Sequence, residues 1–204
     1  MTVAGFRRAV FLDKDGTLVE DVPYNVDPAR IRLLPGVAEG LAALHAAGYL
    51  LVVVSNQPGV ALGLFERAAL RNVEKRLALL FAEAGAALAA FHACPHHPRG
   101  NVLRYTGPCA CRKPAAGLLL RAARDHDIAL ADSWMVGDIL DDVEAGNRAG
   151  CRTVLVNCGG ETEWAWNSRR VPDVITSDFR GATAAVLRHG SAETNAGRRG
   201  ACHA

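Results

Sequence analysis

Asp13 and Asp15 stand two residues apart at the end of an apolar run, Ala9-Val10-Phe11-Leu12, and Gly16-Thr17 follow at once. A short apolar run closed by turn residues predicts a buried strand. In open α/β sheets, ligands bind outside the carboxyl ends of strands. Two carboxylates placed there are costly unless a cation or a reaction uses them. Three more reactive groups follow predicted strands or open a predicted helix: Ser55 after Leu50–Val54, Asp138 after Ser133–Val136, and Lys113, preceded by Arg112, at a helix entrance. On a parallel sheet, all of them reach one edge. The set suits phosphoryl chemistry. Asp13 and Asp138 offer hard oxygen ligands of the kind Mg2+ takes. A carboxylate can attack phosphorus and carry the phosphoryl group, which divides one hard hydrolysis into two easier steps. Mg2+ and Lys113 would neutralise the phosphate and Ser55 would donate a hydrogen bond. Asp15 could protonate the leaving oxygen and later take a proton from water.

Positioning these groups requires strands that alternate with helices. Strands are expected at Ala9–Asp13, Leu50–Val54, Ala87–Ala93, Ser133–Val136, Cys151–Val156 and Val174-Ile175. Helices are expected from Pro35-Gly36 to near Gly48, over Phe65–Ala84 and Ala116–His126, after Gly137-Asp138 to about Ala149, and over Phe179–His189. This alternation predicts an α/β fold with a doubly wound, mostly parallel sheet. Val19–Leu34 is polar and irregular, with Pro23 and Pro28, and is expected to lie over the site as a loop or short hairpin. The chain of 204 residues, 50% hydrophobic, fits one domain over 1–189, with 190–204 expected to be a disordered tail. Its 23 Lys+Arg against 21 Asp+Glu leave a net charge of +2, which gives no support to a nucleic-acid or membrane-surface role. Without a leader-like N-terminus or a long apolar run, a cytoplasmic location is expected. The default expectation for such a domain is a monomer.

Asp13-Lys14-Asp15-Gly16-Thr17, Ser55 after three valines, Lys113, and Gly137-Asp138 with Asp142 four residues on together resemble the four ordered motifs of haloacid dehalogenase-superfamily phosphatases, over roughly residues 8–158. The resemblance implies a Rossmann-type fold of that superfamily. It makes Asp13 the nucleophile and Asp15 the general acid/base. It also implies Mg2+ ligation by Asp13, the backbone carbonyl of Asp15, and Asp138, with Asp142 as a supporting acid. No large insertion follows the first motif or the second strand, so the cap is expected to be minimal.

Cys94-Pro95-His96 and Cys109-Ala110-Cys111 read C-x-H and C-x-C, with residues 97–108 between them. Three thiolates and one imidazole suit a closed tetrahedral Zn2+ site. His97 is the runner-up ligand to His96. The loop 94–111 is too polar to build its own core, so a metal would give it a fold. Because Cys111 directly precedes Arg112-Lys113, the expected role of Zn2+ is structural: it fixes the backbone that presents the lysine. Cys151 and Cys158, flanking the fifth strand, are expected to be buried thiols.

The same loop, with Tyr24-Asn25-Val26-Asp27, Ser55-Asn56-Gln57-Pro58-Gly59 and Cys-Ala-Cys-Arg-Lys-Pro, is similar to bacterial D-glycero-D-manno-heptose-1,7-bisphosphate 7-phosphatases, a family of nucleotide-activated heptose biosynthesis. That resemblance implies a phosphorylated sugar substrate contacted by Asp21, Val22, Pro23 and Tyr24, by Ser55, Asn56, Gln57 and Pro58, and by Arg112 and Lys113. Two departures bear on substrate handling. Pro23 stands where members can have glycine, and Ile139 where some have a lysine that reaches the substrate. Histidinol-phosphate phosphatase and a broad sugar-phosphate phosphatase are the alternative enzymes, and a zinc-binding interaction module is the non-enzymatic one.

Overall fold

The computed structural model describes residues 6–200, with side chains through residue 189. Its sheet comprises β1 (Ala9–Leu12), β2 (Leu50–Asn56), β3 (Leu88–Cys94), β4 (Trp134–Gly137), β5 (Arg152–Val156) and β6 (Val174–Thr176). Every pairing is parallel and the order is β3-β2-β1-β4-β5-β6. The helices are α1 (Val37–Ala46), α2 (Gly59–Leu62), α3 (Leu70–Glu83), α4 (Gly117–His126), α5 (Leu140–Ala149) and α6 (Phe179–Gly200).

Successive strand residues point to opposite faces. Val10 and Leu12 therefore join Leu41, Leu77 and Phe179 in one core, while Ala9 and Phe11 join Leu119, Met135 and Ala145 in the other. Burial on both faces explains why β1 and β2 read as unbroken apolar runs. The chain builds outward from β1 to β3, then crosses back to place β4 on the other side of β1. That reversal opens a crevice between the carboxyl ends of β1 and β4, where Asp13 and Asp138 emerge.

Several boundaries differ from expectation. β2 runs two residues further, because Ser55 pairs with Ala93 and Asn56 with Cys94. The helix expected from Phe65 starts at Leu70; Phe65 packs instead on Gly59, where a Cβ would stand 2.2 Å from its ring. α6 continues past His189 to Gly200, through most of the segment expected as a tail, with no proline to stop it. Residues 201–204, including Cys202, lie outside the described residues. Between 18 and 36 the chain folds back on itself through an antiparallel bridge, Val19 to Leu33, around a 3-10 turn at Pro28–Arg30, so no cap domain is inserted there. Among the described residues, no helix is long and apolar enough to cross a membrane.

Candidate active site

The ends of β1 and β4 are tied by the Asp13 N–H, which donates to the Val136 carbonyl at 3.0 Å. Asp138 then packs against two glycines. A Cβ at Gly16, whose φ is 77°, would lie 2.2 Å from its carboxylate, and one at Gly160 would lie 1.9 Å away. Thr17 Oγ1 donates to Asp138 Oδ1 at 3.0 Å. One turn on, α5 brings Asp142 back over Gly137, where a Cβ would meet it at 2.2 Å. The start of α5 is held from outside, since the Leu140 N–H donates to Glu161 Oε2 at 2.7 Å.

Lys113 is the centre of this arrangement. Its Nζ contacts Asp13 Oδ1 at 2.5 Å, Asp142 Oδ1 at 2.5 Å and the Val54 carbonyl at 3.0 Å. The contacts to Asp13 and the Val54 carbonyl are hydrogen bonds, and the contact to Asp142 is an ion pair whose geometry falls short of one. Burial alone would lower the pKa of this lysine, but the Asp13 and Asp142 carboxylates outweigh it and hold the ammonium charged. Asp13, Asp138 and Asp142 present oxygens within 4.8 Å of one another, so three buried carboxylates share one buried cation. Burial, followed by repulsion from Asp13, pushes the Asp138 carboxyl up to about 7. Burial likewise holds Asp142 well above the usual carboxylate range, with Lys113 opposing. An all-oxygen donor set short of positive charge fits Mg2+.

Asp15 lies beside this group. Its Oδ1 is ion-paired with the buried Lys14 ammonium, and its Oδ2 accepts from Gln57 Nε2 at 3.2 Å. Burial raises its pKa and Lys14 opposes the rise. Asp13, Asp15, Ser55, Lys113 and Asp138 all face one cavity of about 310 Å3. Asp21, Pro23 and Tyr24 form one wall, Asn56, Gln57 and Pro58 another, and Asn25, Ile139 and Gly160 complete the lining.

Two expected substrate residues do not line it. Val22 turns its carbonyl to the Asn25 N–H at 3.1 Å, and Arg112 Nη1 reaches the His96 carbonyl at 3.3 Å. Thr17, Asn25, Gly160 and Glu161 also belong to the site, and the turn glycines adjoining Thr17 and Gly160 are their signal in the sequence. Cys158, expected to be buried, is exposed and donates its thiol to the Gly16 carbonyl at 3.4 Å, whereas Cys151 is buried. The half-exposed Trp164 and Trp166 lie 5.5 Å apart, ring to ring, and neither lines the cavity.

Beyond the end of β3, Cys94, His96, Cys109 and Cys111 converge. Cys94 Sγ lies 3.0 Å from Cys111 and 3.7 Å from Cys109, and Cys111 lies 3.6 Å from Cys109. His96 Nδ1 stands 3.3 Å from Cys111 and 3.6 Å from Cys94. Tetrahedral Zn–S bonds of about 2.3 Å would set thiolates about 3.8 Å apart, so the cluster fits Zn2+. His97 is excluded by its own loop, where its Nδ1 accepts from the Arg99 N–H at 3.1 Å. The described cysteines form no disulfide.

The HAD-hydrolase-like family matches residues 110–183. D-glycero-D-manno-heptose-1,7-bisphosphate 7-phosphatase from Thermosynechococcus vestitus is 38% identical over 190 residues, covering 90% of this chain and 97% of its own. The D-glycero-beta-D-manno-heptose-1,7-bisphosphate 7-phosphatase of Yersinia pestis is 36% identical over 182 residues, covering 84% of this chain and 97% of its own. Among solved structures, the D,D-heptose 1,7-bisphosphate phosphatase of B. bronchiseptica, complexed with magnesium and phosphate, superposes with a TM-score of 0.72 at 30% identity, covering 89% of this chain and 99% of that one. A HAD-like phosphatase from Mesorhizobium loti gives a TM-score of 0.79 at 32% identity, covering 93% and 90%.

Two outcomes follow from this geometry. A carboxylate raised on folding binds more protons folded than unfolded, so it costs stability as pH climbs from its unfolded to its folded value. For Asp138 that window runs from 3.8 to about 7. Thermal melts should therefore show Mg2+ raising the melting temperature more at pH 8 than at pH 5; equal gains would count against metal binding at these carboxylates. Purified protein should also carry about one zinc per chain by elemental analysis. Full zinc content after Cys109→Ser and Cys111→Ser together would rule out this cluster as the site.

Proposed function

The chain belongs to the D-glycero-D-manno-heptose-1,7-bisphosphate 7-phosphatase family of haloacid dehalogenase-like hydrolases, and we propose that it removes the 7-phosphate of D-glycero-D-manno-heptose 1,7-bisphosphate through an aspartyl-phosphate. The observation that carries this reading is the Lys113 ammonium, bound to Asp13 Oδ1 at the floor of a cavity sized for a sugar phosphate. Asp13 attacks phosphorus. Lys113 neutralises charge on the phosphoryl oxygens while Asp142 holds its ammonium in place, and the Ser55 hydroxyl donates to the same group. Asp15 gives its proton to the departing sugar oxygen. It then takes one from the water that cleaves the Asp13 acyl phosphate and frees inorganic phosphate.

Asp13, Asp138 and the Asp15 backbone carbonyl would hold Mg2+, which supplies charge stabilisation for the transferring phosphoryl group. Zn2+ on Cys94, His96, Cys109 and Cys111 has a structural role, since Lys113 follows two residues after Cys111. Asp21, Tyr24 and Asn25 suit sugar hydroxyls. Arg112 gives one Nη1 hydrogen bond to the His96 carbonyl and carries further guanidinium donors suited to a second phosphate. A sugar-monophosphate phosphatase is the second reading, favoured by one fact: among the described residues lining the cavity, Lys113 alone is cationic. Free thiols at all three cysteines of the cluster fit a reducing, cytoplasmic setting.

Phosphate release assayed with Mg2+ should favour heptose 1,7-bisphosphate over histidinol phosphate and heptose 7-phosphate by at least about tenfold, about 1.4 kcal/mol of discrimination. Preference for either competitor would replace the substrate assignment. Asp13→Asn should cut turnover by at least about a thousandfold while circular dichroism stays unchanged. Retained turnover would refute Asp13 as nucleophile.

A further inference from the structure

Gln57 was expected to contact substrate, but both donors of its amide nitrogen are engaged by the protein. Nε2 donates to Asp15 Oδ2 at 3.2 Å and to Ser55 Oγ at 2.8 Å. An amide nitrogen has two N–H groups, and these two acceptors use both. The orientation of the carboxamide follows from its partner: whether ionised, or protonated with its one O–H aimed at the leaving oxygen, the Asp15 carboxyl only accepts on its Gln57 side, so nitrogen rather than oxygen faces it. The residue is 4% exposed. Its backbone N–H donates to the Cys94 carbonyl at 2.8 Å, which anchors it to the end of β3. With Lys14 on Oδ1, Gln57 completes a two-sided hold on a side chain that otherwise stands at the cavity wall.

We propose that Gln57 is a positioning residue for Asp15. Its carboxamide aims the carboxyl group at the leaving oxygen in the first transfer and at water in the second. Ser55 is the second anchor that keeps the amide from rotating away. This inference rests on the reading of Asp15 as the group that moves protons. Proton transfer demands a heavy-atom approach within hydrogen-bond reach, and a small misplacement of a reacting group is costly in rate.

The test uses two leaving groups. A sugar alkoxide needs a proton to depart, whereas p-nitrophenolate leaves without one. The ratio kcat/KM reports steps only through the first transfer, so the shared hydrolysis of the aspartyl-phosphate does not enter. Gln57→Leu, close in volume but without donors, should lower kcat/KM for heptose 1,7-bisphosphate by at least about tenfold, within the range ascribed to general acid catalysis. For p-nitrophenyl phosphate the loss should stay below about threefold. In an Asp15→Asn background, adding Gln57→Leu should change kcat/KM by less than about twofold, because the two act as a unit. Equal losses on both substrates, a change in KM alone, or additive effects with Asp15→Asn would each overturn the proposal. If Gln57→Leu does not fold, Gln57→Asn, which keeps the amide and shortens its reach, reads the same substrate ratio. Wild-type protein inactive on both substrates would instead refute the phosphatase reading itself.

Discussion

The buried ammonium of Lys113 is the interaction on which the site depends. A fully buried charge persists only when paired and hydrogen-bonded, and removing one partner of such a pair costs about 3–5 kcal/mol. The three partners of Lys113 come from three elements: Asp13 after β1, the Val54 carbonyl within β2, and Asp142 in α5. Each element is thereby brought to the point where the others end. The lysine's backbone is held as well. Asn56 Oδ1 accepts from the Lys113 N–H at 3.0 Å, and Asn56 Nδ2 donates to the Lys113 carbonyl at 3.1 Å. A single carboxamide thus holds both backbone polar groups of Lys113.

Around this centre the fold uses short cross-ties rather than more core. On one flank, the cluster of Cys94, His96, Cys109 and Cys111 joins the end of an edge strand to the residues just before Lys113. The Arg112 N–H extends that tie by donating to Cys109 Sγ at 3.4 Å. On the other flank, the segment after β5 is drawn onto α5. Arg170 spans Asp141 and Glu144, each at 2.7 Å, and Glu161 caps the first turn. α5 carries Asp142, so an ion-pair network outside the cavity sets the helix that sets the lysine. Gly16 and Gly160 leave room for Asp138 between them, which lets two loops approach the carboxylate more closely than any side chain would permit.

The alternation of strands and helices, the aspartates at strand ends and the four zinc-type ligands were legible in the sequence, because each is a local pattern of residue type and spacing. Hydrophobic runs record which segments are buried on both faces, and clustered thiols record metal chemistry, wherever the chain travels. Partner choice was not legible. Thr17 meets Asp138 across 121 residues and Lys113 meets Asp13 across 100; no local period encodes such pairs. The C-x-H spacing already favoured His96, and the tertiary structure sets it against the thiols while His97 accepts from the Arg99 N–H. Only the tertiary structure turned Asn56 and Gln57 back toward Lys113 and Asp15, and Arg112 toward a carbonyl. A polar side chain is satisfied by whichever complementary group the fold brings within about 3 Å, and that is set by packing between distant segments.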